Sequence, residues 1–137
     1  MMCGMGQQQS TSCPLCELAR SEASERRLGT AAAVPDGFPL TTGHTLVLPV
    51  RHVPDFFALC AEEQADIWRL VAEVRVDLQR RFAPDGFNVG LNAGRAAGQT
   101  VDHAHVHVIP RFMGDVSDPR GGVRWVLPAA AAYWSDE

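Results

Sequence analysis

The most regular pattern of apolar positions in the chain lies between residues 61 and 82. Six apolar residues recur there at steps of three and four: Ile67, Leu70, Val71, Val74, Leu78 and Phe82. This spacing places them on one side of an α-helix, as in an amphipathic helix that packs against a core. Acidic residues at its start, and Arg80 and Arg81 at its end, suit the helix dipole. The pattern predicts one long helix from Ala61 to Phe82, ended by Pro84 and Gly86.

Shorter apolar runs, bounded by residues that favour turns, predict strands. The first two are Thr30 to Val34 and Thr45 to Leu48, and the Pro-Asp-Gly cluster between them is typical of a connecting loop. Three further strands are predicted after the helix: Phe87 to Asn92, about Thr100 to Ile109, stopping at Pro110, and Val123 to Leu127. Gly94 to Gly98 is expected to be a flexible connector.

Together these elements predict an antiparallel α+β domain. Cys13 to Arg27 is polar with spaced apolar residues, which favours a short helix or an irregular turn. Met1 to Ser12 lacks periodicity and is rich in Gly, Gln and Ser, so we expect a mobile tail there. The 137 residues suit one average domain, which we expect to extend from residue 13 to residue 137.

Composition and charge narrow the classes of function. Hydrophobic residues make up 46 % of the chain and charged residues 20 %, as in a globular domain that buries a core. The net charge of −4 argues against nucleic-acid or membrane binding driven by overall charge. No apolar run approaches the ~20 residues of a membrane span, and no signal peptide is evident, so we expect a cytoplasmic protein. All twelve basic residues are Arg, which excludes Schiff-base chemistry.

Three of the five histidines occupy alternate positions, at His103, His105 and His107. On a strand this spacing would place all three imidazoles on one side, with Ala104 and Val106 on the other. A single His is usually a structural residue, but three exposed on a strand-forming stretch have no packing reason. Imidazoles can act as nucleophile, proton carrier or metal ligand, so the pattern predicts a functional site.

The stretch from His103 to Ile109 resembles the signature of the histidine triad family, in which three His alternate with apolar residues. Further stretches are similar to those of the family: Asp36-x-Phe38-Pro39, the run from Gly43 to Pro49, Arg51-His52, Asn92, and the run from Gly98 to Val101. The resemblance covers about Cys13 to Arg111, and within it Gly86 to Arg111 look closest to the diadenosine-polyphosphate hydrolase branch. It implies the family's α+β fold, an antiparallel sheet of about five strands with one long helix and a short N-terminal helix.

The resemblance also implies nucleotidyl transfer through a covalent intermediate. The middle triad His is the nucleophile of the family, so His105 would attack the α-phosphorus of a nucleotide, and water would release the nucleoside monophosphate. A neutral imidazole is a good nucleophile at pH 7. His107 would orient the nucleophile and stabilise charge, with His44 in a supporting role, and His103 would assist unless a metal occupies it.

Residues that would hold the nucleotide follow from the same resemblance. Asn92, Gln99 and Thr100 would bind the α-phosphate or the bridging region, and Asp36 the ribose hydroxyls. The glycines around Gly98 allow close backbone approach to phosphate oxygens, although a simple loop would also use them. Asp36 could instead cap a turn, and Arg95 and Arg111 could attract polyphosphate or be solvated surface residues.

Cys13 and Cys16 have the spacing of a zinc knuckle, and two more ligands would complete a tetrahedron. Some members of the family and its relatives bind zinc through such a pair together with the His residues that correspond to His52 and His103. The implied ion has four protein ligands and is therefore structural. A redox pair or two unligated thiols are the alternatives, and Cys3 and Cys60 receive no function.

The sequence thus favours a hydrolase of nucleotide phosphoanhydrides or phosphoramidates, such as diadenosine polyphosphates. A nucleotidyltransferase with the same intermediate is an alternative, although relatives of that kind usually carry Gln where His107 stands. A nucleotide-binding protein with little turnover is another. The partners expected are a purine nucleotide or dinucleoside polyphosphate and a second copy in a homodimer, whose interface could be the 61–82 helix unless that helix covers only its own sheet.

Overall fold

A computed structural model describes residues 13–21 and 24–135. The helices and strands, in chain order, are α1 (Pro14–Arg20), β1 (Arg26–Leu28), β2 (Ala31–Pro35), β3 (Thr45–Pro49), α2 (Ala61–Phe82), β4 (Gly86–Leu91), β5 (Val106–Arg111) and α3 (Pro128–Ala131). Three short 3-10 helices lie at Phe56–Ala58, Arg95–Ala97 and Gly122–Val126. The predicted tail at residues 1–12 lies outside the described residues.

The strands form one antiparallel sheet in the order β1-β2-β3-β5-β4. The predicted α+β class, with about five strands, one long helix and a short N-terminal helix, is confirmed. The predicted helix from Ala61 to Phe82 agrees with α2 residue for residue. Among the described residues, no helix is both long and apolar enough to cross a membrane.

The apolar stripe of α2 covers one face of its own sheet. Ile67, Leu70 and Leu78 are buried there against Ala33, Val47, Val106 and Val108. This burial accounts for the periodicity of the stripe, because each apolar position of α2 faces the sheet. The stripe is therefore not an available surface for a second copy of the chain.

The opposite face of the sheet is covered by α1. Leu15, Cys16 and Ala19 contact Ala32 and Val34 of β2 and Leu46 and Leu48 of β3. Since α1 and α2 lie on opposite faces, residues 31–34 of β2 are buried on both sides. Three of those four residues are Ala, whose small side chains let both helices approach the sheet closely.

One predicted strand was wrong, and one strand of the sheet was not predicted. The predicted strand Val123 to Leu127 is instead a 3-10 helix followed by α3. Gly121 and Gly122 adopt φ values of 91° and 46°, and Pro128 begins a helix, so the backbone turns where a strand would have to continue. The strand that was not predicted is β1. Its sequence, Arg-Arg-Leu, is largely exposed and too short to show a period.

The histidine-rich strand is also shorter than predicted at its start and longer at its end. β5 begins at Val106, so His103 and His105 precede it, and it continues through Pro110 to Arg111. Pro110 is tolerated because β3 pairs with β5 only as far as Val108, so the missing N–H of Pro110 breaks no hydrogen bond to β3. His103 is consequently not on an exposed strand face but fully buried.

An ion pair between partly exposed Arg51 and buried Glu63 anchors the loop that follows β3 to the start of α2. The Nε and NH2 groups of Arg51 donate to Oε2 and Oε1 of Glu63 at 3.1 and 2.8 Å. The backbone N–H of Cys60 donates to the same carboxylate at 3.2 Å. Burial alone would raise the pKa of Glu63, but these partners hold it below its ordinary value. His52 follows Arg51 directly, so the pair also fixes the position of that imidazole.

We expect the variant Arg51→Met to lower the free energy of unfolding by about 3 kcal/mol, because it leaves the Glu63 carboxylate buried without its partner. Urea unfolding measures the change. Arg81→Met, which breaks the exposed ion pair with Asp77, is the matched control and should cost less than about 1 kcal/mol. The double variant Arg51→Met/Glu63→Met should recover more than half of the loss. Equal effects of the two single variants would contradict the role assigned to the pair.

Candidate functional site

Two side-chain clusters meet at the segment that leads into β5. One contains Cys13, Cys16, His52 and His103, whose sulfur and Nδ1 atoms all lie within 4.8 Å of one another. The other contains Asp36, His44 and His107. His105 lies between His103 and His107 in the chain. The residues predicted to bind metal are therefore brought together, and so are the predicted catalytic imidazoles at 105, 107 and 44.

Three sulfur–nitrogen distances in the first cluster resemble those of a zinc site. Sγ of Cys16 lies 3.2 Å from Nδ1 of His52 and 3.4 Å from Nδ1 of His103, and Sγ of Cys13 lies 3.7 Å from the latter. A tetrahedral zinc ion with ordinary bond lengths separates a sulfur and a nitrogen ligand by about 3.6 Å. These three sulfur–nitrogen distances are close to the separation that a single zinc ion would require, and all four ligand atoms lie within 4.8 Å of one another.

Hydrogen bonding of His103 supports the same interpretation. Its Nε2 lies 2.8 Å from the carbonyl oxygen of Pro49, which can only accept, so Nε2 carries the proton. Nδ1 therefore presents a lone pair to the two thiols. Metal-binding histidines commonly donate their second N–H to a carbonyl in this way. Burial lowers the pKa of His103 to about 4, which keeps the ring neutral and able to bind a metal at pH 7.

The imidazole of His105 is oriented by the backbone of His103. Its Nδ1 lies 2.8 Å from the carbonyl oxygen of His103 and must donate to it. The neutral ring then has its lone pair on Nε2, at the far side of the imidazole. The ring of His107 stands edge-on to it, with centroids 5.2 Å apart. His105 thus presents a nucleophilic nitrogen beside a second imidazole.

His107 is linked to a fourth histidine across the sheet. The backbone N–H of Leu40 donates to Nδ1 of His44 at 3.1 Å, so the proton of neutral His44 is on Nε2. That Nε2 lies 2.9 Å from Nδ1 of His107 and 3.3 Å from Oδ2 of Asp36. It therefore donates to His107, whose own proton is on Nε2. The order of donors is Leu40, His44, His107.

This second cluster lacks the hydrogen bonding of a metal site. A metal on Nε2 of His44 would require the proton on Nδ1, where the N–H of Leu40 already points. The arrangement thus favours a hydrogen-bonded chain over a metal site. Gly43, which directly precedes His44, has φ 90°, a backbone conformation that favours glycine. A Cβ added there would lie 2.9 Å from the ring of Phe82.

Burial keeps the imidazole rings of His44 and His107 neutral. The pKa of His107 is lowered to about 4, first by burial and then by the nearby rings of His105 and His44. Burial also lowers the pKa of His44, against the opposing effect of Asp36. At pH 7 neutral His44 can therefore donate its hydrogen bond to neutral His107.

The predicted phosphate-binding residues lie near the start of β5, beside His105. Gly94 and Gly98 flank the short 3-10 helix, with φ values of 92° and 93°, and the loop is exposed. Asn92 follows β4 next to the register position of His105, because Leu91 pairs with Val106. Gln99 uses its amide within the loop: it accepts from Gly94 N and donates to Pro54 O and Val101 O. Its side chain thus shapes this loop, and Thr100 is exposed beside it.

Several contributors to the site were not predicted from the sequence. They are backbone groups, namely Leu40 N–H, Pro49 C=O and His103 C=O, and the Arg51–Glu63 pair. The backbone groups leave no signal in the sequence, because every residue except Pro has both. Arg51 did have a signal, since it precedes His52 directly and a buried acidic partner could have been sought in the first turn of α2.

Comparison with known proteins finds relatives over most of the chain. A family model described as "HIT domain" matches residues 27–114. An HIT-like protein of Mycoplasma genitalium is 32 % identical over 106 residues, or 75 % of each chain. The bis(5'-nucleosyl)-tetraphosphatase (asymmetrical) of Schizosaccharomyces pombe is 38 % identical over 67 % of this chain and 50 % of its own. The crystal structure of a Zn-bound histidine triad family protein from Mycobacterium smegmatis has a TM-score of 0.69 at 31 % identity, over 76 % of this chain and 78 % of its own.

The low pKa values of His44 and His107 predict acid-sensitive stability. Between pH 6.5 and 4 the unfolded chain binds a proton on His107 while the folded chain does not, so the free energy of unfolding falls as pH falls, and the lowered pKa of His44 acts in the same direction. Each ring contributes a slope of at most about 1.4 kcal/mol per pH unit, and the slope of His107 ends near pH 4. Urea unfolding at several pH values should give a shallower slope for His107→Gln than for the wild type. Parallel curves would contradict the assignment, and any acid-induced metal loss is common to both proteins.

Proposed function

The chain belongs to the HIT domain family, and from this we propose that it hydrolyses nucleotide phosphoanhydrides or phosphoramidates through a nucleotidyl-histidine intermediate. Dinucleoside polyphosphates are the substrate class favoured, since a relative bears the name bis(5'-nucleosyl)-tetraphosphatase. The observation that carries the proposal is the orientation of His105, whose Nδ1–H is held by the carbonyl of His103. A buried structural role for His105 would not require the free Nε2.

His105 is the proposed nucleophile. Its Nε2 lone pair attacks the α-phosphorus, a P–N bond forms, and the bond from phosphorus to the leaving phosphate or amine breaks. As the imidazole becomes cationic, its Nδ1–H bond to the His103 carbonyl strengthens and stabilises the charge. Water then attacks the same phosphorus, releases the nucleoside monophosphate and restores neutral His105.

His107 is proposed to donate a hydrogen bond to the reacting phosphate. Its Nδ1 accepts from His44, so the proton on Nε2 is the one available to a phosphate or leaving-group oxygen. The pKa of about 4 means that His107 acts as a neutral donor at pH 7. His44 acts through His107 and is a positioning residue, held in turn by Leu40.

Nucleotide recognition is assigned to the residues that match the family. Asp36 would accept from the ribose hydroxyls, and its location beside His44 would place the ribose next to the imidazole chain. Asn92, Gly98 and Thr100 would bind phosphate oxygens through side chains and backbone N–H groups. Gln99, given its contacts within the loop, would act mainly by holding the loop in shape.

The nucleotidyltransferase alternative differs only in the acceptor, which would be a phosphate or sugar phosphate instead of water. The third triad position is His107, which can donate a hydrogen bond to a leaving group, and this favours hydrolysis. A nucleotide-binding protein with little turnover is disfavoured because such a protein needs no oriented nucleophile.

We also propose that Cys13, Cys16, His52 and His103 hold one structural zinc ion. The ligand distances and the tautomer of His103 support this, and one neighbouring structure bears the description Zn-bound. Four protein ligands leave no position for substrate, so the ion would act on stability and not as a Lewis acid. His103 would then take no part in proton transfer. The homodimer and the cytoplasmic location stay predictions from the sequence.

The covalent step predicts that His105→Ala abolishes turnover of diadenosine tetraphosphate, to below about one per cent of the wild-type rate. Nucleotide binding, measured by calorimetry, should be retained because the other contacts remain. Acid-free rapid quench with labelled substrate should trap a phosphohistidine in the wild type and none in the variant. Turnover of His105→Ala above a few per cent would exclude the covalent mechanism.

The zinc site predicts about one zinc ion per chain by elemental analysis of protein purified without added metal. Cys16→Ser should lose the zinc and lower the thermal midpoint, because the ion links α1 to the loops after β3 and before β5. Glu17→Gln, at an exposed position of α1 outside the cluster, is the control and should keep both the zinc and the thermal midpoint. A stable, metal-free wild-type protein would refute the proposal.

A further inference from the structure

A cavity of about 600 Å³ lies on the same face of β5 as His107. It is at the opposite end of the strand from the loop of residues 94–100, which is proposed to bind phosphate. Its principal lining residues are Leu40, Asn88, Ile109, Val123, Trp125 and Val126. We call this the C-terminal pocket, because the 3-10 helix Gly122–Val126 forms its outer wall. None of the residues predicted from the sequence to form the site lines it except Arg111.

Internal contacts hold the outer wall of the pocket. Nε1 of Trp125 donates to the carbonyl of Arg120 at 2.7 Å, which fixes the edge of the indole ring. Arg124 donates to the carbonyls of Ala131 and Ala130 at 2.8 and 2.9 Å and so ties the 3-10 helix to α3. These hydrogen bonds set the shape of the segment that forms the wall.

The charged side chains at the pocket, Arg111 and Asp115, are paired with each other. Arg111 donates from Nε and NH2 to the two carboxylate oxygens of Asp115, each at 2.8 Å. Its NH1 donates to Oδ1 of Asn88 at 2.5 Å. The guanidinium is thereby neutralised, and the Asn88 amide is held with its oxygen engaged and its NH₂ group as the end available to a ligand. Such a site suits a neutral ring with a hydrogen-bond acceptor better than it suits phosphate.

The pocket adjoins the proposed catalytic centre. Ile109 is two residues from His107 on the same face, about 6.6 Å along the strand. From His105 to Ile109 the chain spans at most about 14 Å. Leu40, on the near wall, donates its backbone N–H to His44, and Thr41 donates its hydroxyl to the carbonyl of Pro110 at 2.6 Å. A ligand in the pocket would therefore lie within reach of a phosphate chain attached at His105.

We propose that the C-terminal pocket binds the second nucleoside of a dinucleoside polyphosphate, the nucleoside that departs with the leaving group. The proposal rests on the proposed hydrolase function and specifies its substrate class. The volume suits a nucleoside, the apolar walls and Trp125 offer a stacking surface, and the Asn88 NH₂ offers a donor to a ring nitrogen. The phosphates between the two nucleosides stay outside the pocket, because Arg111 is already paired with Asp115.

Two substrates that share the reacting AMP unit test the proposal. Diadenosine tetraphosphate carries a second nucleoside, whereas adenosine 5'-tetraphosphate does not, and AMP formation is followed for both. In Trp125→Ala we expect kcat/KM to fall about tenfold for diadenosine tetraphosphate, as for loss of one stacked base, and to stay unchanged for adenosine 5'-tetraphosphate. Trp125→Phe should retain most of the preference. Leu127→Ala, an exposed residue of the same segment outside the pocket, is the matched control and should resemble the wild type.

Asn88→Asp tests the donor separately. The carboxylate keeps an acceptor for Arg111 but removes the NH₂ group, so KM for diadenosine tetraphosphate should rise several-fold while adenosine 5'-tetraphosphate is unaffected. An equal loss for both substrates in Trp125→Ala and Asn88→Asp would overturn the proposal, since the segment would then support only the catalytic centre. Unchanged kinetics with an altered mass by light scattering would overturn it in favour of an interface between copies.

Binding measurements distinguish failure of the pocket proposal from failure of the proposed hydrolase function. If the wild type turns over neither substrate, calorimetric binding of diadenosine tetraphosphate and of adenosine 5'-tetraphosphate still decides the matter. Tighter binding of the dinucleotide that is lost in Trp125→Ala would support the pocket even without hydrolysis. The same ratio of affinities in the wild type and in Trp125→Ala would overturn it.

Discussion

The hydrogen bond from Nδ1 of His105 to the carbonyl of His103 is the contact on which the rest of the site depends. The same residue, His103, is buried with its ring between two thiols and the carbonyl of Pro49. A shift of the His103 side chain would therefore move the carbonyl that orients His105. The proposed zinc ion would act on the proposed catalysis indirectly, by fixing His103, whose backbone carbonyl orients His105.

Both clusters contain histidines, but a different backbone group sets the imidazole tautomer in each. A carbonyl next to His103 accepts from Nε2 and leaves Nδ1 free, which suits a metal. A backbone N–H next to His44 donates to Nδ1 and leaves the proton on Nε2, which suits donation to His107. The assignment of one cluster to structure and the other to chemistry thus follows from one backbone hydrogen bond in each.

Much of the fold could be predicted because it depends on local patterns. The stripe of α2 is set by which residues can be buried, and it was recognisable in the sequence. The strand at Val123 to Leu127 was predicted on the same reasoning and was wrong, because the local pattern does not say whether a neighbouring strand is available to pair with it. In the fold this segment has none, and glycines with positive φ turn it across β4 and β5 to form the wall of a pocket.

The sequence by itself determined which chemistry is available: the alternating histidines, the Cys13–Cys16 pair and the family to which they point. Only the tertiary structure decided what each histidine contacts. His103 is buried beside the thiols, and the Nδ1 of His105 bonds to a carbonyl, which leaves its Nε2 for a ligand. His107 is hydrogen-bonded to His44, which lies just before β3. The physical reason is that ring tautomers and burial are set by groups far away in the chain, chiefly the backbone atoms of Pro49 and Leu40. Backbone atoms are the same in nearly every residue, so no sequence pattern can mark the ones that will be used.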